Sequence, residues 1–103
     1  MAVFDAILIP GAENATLIDN LGATTASSSQ VIGTNKIFTI VCEDRCHIRF
    51  GDVTNIADPT TSSYPLQADK DYTFDTGTKY DRFRIYNPGA GTTDIWYWEL
   101  SQF

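Results

Sequence analysis

From residue 36 onward apolar and polar side chains alternate in runs of about five to eight, each bounded by Gly, Pro, Asn or Asp. A period of two is what a strand needs to bury one face and leave the other outside, and no helical period competes with it over most of the chain. It predicts strands at residues 36–42, 46–50, 71–75, 80–86 and 94–100, preceded by one at 3–9 and a short, weak one at 30–32. The 13 threonines fit, because β-branched side chains sit well on a pleated surface. Helical spacing is found at 12–21, where Leu17 and Leu21 stand four apart ahead of Gly22. Thr16, Asp19 and Asn20 are poor helix formers, so strand or loop is favoured there as well. Short strands with turn signals and no helical crossovers predict an all-β chain, a single antiparallel β-sandwich, jelly-roll-like.

A length of 103 residues holds one such domain. Its sequence is uneven. Residues 12–35 are small and polar, while all the basic residues and most aromatics lie in 36–103. The expectation is an N-terminal strand and polar arm over 1–35, packed on a β-sandwich body over 36–103. Thirteen Asp and Glu against seven Lys and Arg give a net charge of −6, which repels phosphate backbones and speaks against nucleic acid. The apolar stretch 6–9 has no basic residue ahead of it and ends at Pro10-Gly11, too short for a signal segment or a membrane span. The chain is therefore expected to be made in the cytoplasm, with no membrane partner.

Two hairpins follow from register arithmetic. Opposing Cys42 with Cys46 across residues 43–45 also opposes Ile40 with Ile48 and Phe38 with Phe50, leaving Arg45, His47 and Arg49 on the other face. Opposing Phe83 with Trp98 and Ile85 with Trp96 around residues 87–92 sends both tryptophans into the core. The outer face then carries Arg82, Arg84, Tyr86, Ile95 and Tyr97, too aromatic for a plain solvated surface and expected to be a self-association interface. A competing reading makes Trp96, Tyr97, Trp98 and Tyr86 a sugar platform, but alternation accounts for the whole hairpin and sugar binding for only part of it.

Little in the sequence points to catalysis. A structural zinc site needs four ligands, whereas Cys42, Cys46 and the single His47 are three, with Cys46 and His47 on opposite faces of a strand. Cys42 and Cys46 read either as two small core residues or, being directly opposed, as a disulfide. Any triad must use His47, and no Gly-x-Ser-x-Gly elbow is present to expose a serine. Asp69, Asp71 and Asp75 lack the Gly and Glu positions of a calcium loop and read as turn residues. No catalytic residue, metal or cofactor is expected, and the chain is not read as an enzyme.

Residues 45–100 resemble small structural proteins of tailed-bacteriophage virions, in particular head decoration or cement proteins. The likeness lies in Cys46-His47-Ile48-Arg49-Phe50-Gly51-Asp52, Tyr64-Pro65-Leu66-Gln67-Ala68, Tyr72-Thr73-Phe74-Asp75, Arg82-Phe83-Arg84-Ile85-Tyr86-Asn87 and Thr92-Thr93-Asp94-Ile95-Trp96-Tyr97-Trp98. The resemblance implies a homo-oligomer, expected as a trimer, on the outer capsid surface of a virion, with the major capsid protein as partner. Capsid contact is placed in the arm, at Leu17, Ile18, Val31 and Ile32. The alternative is a carbohydrate- or receptor-binding module of a phage tail.

Overall fold

The alternating segments fold as strands. A computed structural model describes residues 8–10, 15–54 and 56–102. Its ten strands are β1 Leu8–Pro10, β2 Thr16–Leu21, β3 Thr25–Ala26, β4 Gln30–Val31, β5 Ile37–Cys42, β6 Cys46–Gly51, β7 Tyr64–Leu66, β8 Tyr72–Asp75, β9 Arg82–Asn87 and β10 Thr93–Gln102. No helix occurs among the described residues. Six of the expected strands are present, from the short one at 30–32 to the last at 94–100, each within two residues of its expected bounds. Residues 3–7 of the first expected strand lie outside the described residues. The helical spacing at 12–21 gives way to β2, and β3 and β7 are strands with no alternation signal of their own.

Two antiparallel sheets face each other. In the first, β1 and β2 run along one edge of β10, followed by β5 and β8; in the second, β3 and β4 run along β9, followed by β6 and β7. The chain crosses from one sheet to the other at six of the nine connections between these strands.

That winding corrects both hairpins. β5 and β6 lie in opposite sheets, β5 pairing with β10 and β8, and β6 with β7 and β9. Residues 43–45 are thus a corner between sheets. The inward face was nevertheless rightly read: Phe38, Ile40, Cys42, Cys46 and Ile48 are buried, and the Phe38 and Phe50 rings meet at 6.0 Å across the core. β9 and β10 are likewise in opposite sheets; on β9 Phe83 and Ile85 face the core as expected, but on β10 the face is reversed. Thr93, Ile95 and Tyr97 point inward, with the Phe83 and Tyr97 rings edge to face at 5.1 Å, while Trp96 and Trp98 stand on the outer face, partly exposed. The physical reason is polar. Inside, the Thr93 hydroxyl accepts the Asp44 backbone N–H at 3.0 Å and the Tyr97 hydroxyl donates to Gln30 Oε1 at 2.8 Å. An inward face bearing hydroxyls is affordable only with such partners, and strands distant in sequence supply them.

The core is a single cluster of Leu21, Phe38, Ile40, Cys42, Cys46, Ile48, Leu66, Phe83, Ile85, Ile95 and Tyr97, with Ile18, Ile32, Phe50, Tyr72 and Phe74 packed against it. Its aromatic centre is Phe38, stacked on Phe83 at 5.2 Å. The polar front third contributes β2 to one sheet and β3 and β4 to the other, so residues 16–31 are woven into the sandwich instead of lying on it as an arm. Ser27 completes the edge of β9: its N–H donates to Ile85 O at 2.7 Å and its Oγ accepts the Ile85 N–H at 2.9 Å.

Candidate functional site

The outer face of the first sheet is built by alternation. On β10, Trp96 and Trp98 are two residues apart and project the same way, about 6.6 Å from one another along the strand. Register sets Leu17 of β2 and Val41 of β5 on either side of Trp96, and Thr39 beside Trp98, with Thr73 of β8 beyond it. Leu17 is 46% exposed. Thr39 and Thr73 use their hydroxyls on each other at 2.9 Å. Charge stays at the margins: Asp94 accepts the Asn20 N–H through Oδ1 at 2.8 Å, and Asp75 accepts the Gly77 N–H at 2.8 Å. The result is a face with two indoles at its centre and carboxylates, Asp94, Glu43 and Asp75, at its margins, on a chain of net charge −6.

The residues expected to form a self-association interface do not share a surface. Ile95 is 0% and Tyr97 9% exposed, both between the sheets. Burial holds the Tyr97 phenol above its usual range, which the neighbouring Thr16 only partly offsets. Arg82, Arg84 and Tyr86 lie on the outside of the second sheet, where the arginines are already engaged. Arg82 grips Asp81 through Nε at 2.9 Å and through a second guanidinium nitrogen at 3.2 Å, keeping the Asp81 carboxyl below the usual carboxylate range. Arg84 pairs with Asp58 and donates from Nε to Ser27 O at 2.8 Å. His47, expected in solvent on this face, is buried, its Nδ1–H donating to Ser63 O at 2.9 Å. Asp58 and Ser63 belong to the long connection between β6 and β7, which thus covers part of this sheet.

The four residues expected at a capsid contact are also divided. Leu17 stands beside Trp96 on the first sheet, and Val31 is exposed on β4 at the edge of the second, whereas Ile18 and Ile32 pack against the core.

Cys42 and Cys46 are free, buried thiols. Hydrogen bonding between the two side chains pushes the Cys42 thiol well up, reinforced by burial, and holds Cys46 below the ordinary thiol range. Both sulfurs are buried, so reagent access to either requires the native chain to open. Under non-reducing conditions Ellman's reagent should count two thiols in denaturant and react only slowly with the native chain. A count of zero in denaturant would instead mean a disulfide.

Comparison with known proteins informs the fold alone. No protein family model matches the chain, and no curated protein matches it. Among solved structures it is similar to the solution NMR structure of a de novo designed double-stranded β-helix, with a TM-score of 0.61 and 12% sequence identity over 82% of this chain and 96% of that one. The likeness is one of fold. Sequence reasoning missed the outward tryptophans because it sent the largest apolar side chains inward. The neighbouring exposed leucine, Leu17, lies in a segment that sequence reasoning left between strand and loop.

Proposed function

We propose that this chain is a structural virion protein, a capsid decoration or cement protein that associates with itself and binds the outside of a phage head. The reading is supported by the resemblance of residues 45–100 and, above all, by one observation: around Trp96 and Trp98 the face is apolar, with its carboxylates confined to the margins, on a strongly acidic chain. Two copies each carrying −6 repel wherever their carboxylates approach, so a contact centred on the indoles, with Asp94, Glu43 and Asp75 kept at the margins, is less opposed than one centred on carboxylates. Partly exposed indoles are also the side chains that contribute most at interface centres. Bound across neighbouring capsid subunits, such an oligomer stabilises the shell by mass action, since it binds the assembled state only.

Sedimentation velocity tests the first step. The native chain should sediment as an oligomer at micromolar concentration, and Trp96→Glu combined with Trp98→Glu should give a folded monomer. A native monomer, or an oligomer unchanged by the double substitution, would overturn the assignment. Co-sedimentation with undecorated heads then tests the second step.

One observation favours a second reading, a carbohydrate- or receptor-binding module of a phage tail. Two indoles in line on a flat strand face offer stacking surfaces to successive sugar rings. That reading requires saccharide-dependent quenching of tryptophan fluorescence by a monomeric chain.

A further inference from the structure

A second surface feature, independent of the tryptophan face, lies where β7 stops short along β6. A cleft of about 390 Å³ opens there, lined among others by Arg49, Thr60, Ser62, Ser63, Tyr64 and Tyr80. This is within the size range of small-ligand sites, about 300–1,000 Å³. Tyr64 is 57% exposed, and its ring is held near-perpendicular to those of Tyr72 and Phe74, at 6.4 and 6.0 Å, so an ordered aromatic ring reaches solvent here.

The polar rim is ordered before any ligand arrives. The Thr60 hydroxyl oxygen accepts the Ser62 N–H at 3.1 Å, and the Ser63 hydroxyl oxygen accepts the Thr60 N–H at 3.0 Å. Ser63 N–H closes the turn on Thr60 O at 3.0 Å, and buried His47 anchors Ser63 O from beneath. Because these oxygens already act as acceptors, their O–H donors are free to point outward. Positive charge lines the cleft through Arg49, which is exposed and makes no ion pair or hydrogen bond among the described residues; behind the lining Tyr80, Lys79 stands over its ring at 5.2 Å, in no ion pair among the described residues. A braced aromatic ring, a rim of hydroxyl donors and unpaired positive charge are complementary to a ring-shaped ligand rich in acceptors and negatively charged.

We propose that this cleft binds an acidic sugar residue of the hexuronate class, its pyranose face on Tyr64, its carboxylate against Arg49, and its hydroxyls on Thr60, Ser62 and Ser63. The inference does not depend on the assembly reading, and its test uses different residues. Amide and indole NMR shifts of the full chain are followed during titration with trigalacturonate, with neutral maltotriose and with citrate. Trigalacturonate should saturate with Kd at or below about 1 mM, shifting Arg49 and Tyr64 amides and leaving the Trp96 and Trp98 indoles in place. Arg49→Gln should weaken it about tenfold or more, as expected for a lost charge-assisted contact, and added salt should weaken it too. Tyr64→Ala should weaken it similarly. Maltotriose or citrate binding as well as trigalacturonate would overturn the proposal, as would an unchanged Kd in Arg49→Gln, shifts centred on the indoles, or no binding at about 10 mM.

Discussion

Phe83→Ala is expected to destabilise the chain by about 3–5 kcal/mol, and Trp98→Ala by only about 1–2 kcal/mol, although tryptophan is the larger side chain. Phe83 is fully buried, stacked on Phe38 at 5.2 Å and in contact with the Phe50 and Tyr97 rings at 6.3 and 5.1 Å. Neighbours on both sheets hold the space it would leave, so truncation adds a cavity cost to the lost transfer energy. Trp98 touches solvent, so shortening it removes partial burial but leaves no enclosed void. A domain of this size is stable by about 5–15 kcal/mol, so the first substitution consumes a large part of the margin. Urea unfolding of both variants decides it through the midpoint. An equal or larger loss for Trp98→Ala would return the tryptophans to the core.

The contrast between these two residues shows how far the sequence can be read. Alternation assigns each strand two faces, and it located six strands correctly because period two is local information. Which face goes inward is also local when one face is clearly more apolar, as in Phe38, Ile40 and Cys42. On β10 the choice lay between Thr93, Ile95, Tyr97 and the face of Trp96 and Trp98. What settled it is remote in sequence, namely Gln30 for Tyr97 and the Asp44 backbone for Thr93. Strand partnership is less legible still. A connection of three residues at 43–45 suits a hairpin or a corner between sheets, and the same apolar residues meet either way, through a ladder or across the core. The site suffered accordingly: Arg82, Arg84 and Tyr86 were grouped with Ile95 and Tyr97 by a ladder that does not exist. The cleft was illegible for a related reason, since Arg49, Ser62, Tyr64 and Tyr80 are brought together by the fold of a long connection with no period of its own.

Asn87→Ala is expected to cost about 2–4 kcal/mol without removing any apolar contact of note. Asn87 is 1% exposed at the end of β9, and its Nδ2 group donates to Leu21 O and Gly22 O, both at 3.0 Å, and to Gly91 O at 2.8 Å. Its Oδ1 accepts the Gly89 N–H at 2.9 Å. One side chain thus joins the end of β2 to the turn that leads into β10, and alanine would take away the two amide hydrogens that three carbonyls share and the acceptor of the Gly89 N–H. Asn87→Asp separates lost hydrogen bonds from lost volume. At neutral pH it places a carboxylate against three carbonyl oxygens, so its folded pKa must lie above the unfolded value of about 3.9. For a carboxyl shifted in that direction the folded state is penalised above the unfolded pKa, and the penalty fades as pH falls through the folded pKa. The stability gap between Asn87→Asp and the native chain should therefore narrow on acidification, whereas that of Asn87→Ala should stay constant. Denaturant midpoints measured for all three chains at each pH cancel the titration of the other carboxylates. If the two gaps moved in parallel, the amide would not be the donor to these carbonyls, and the join that places β10 beside β2, and so Trp96 beside Leu17, would have to come from elsewhere.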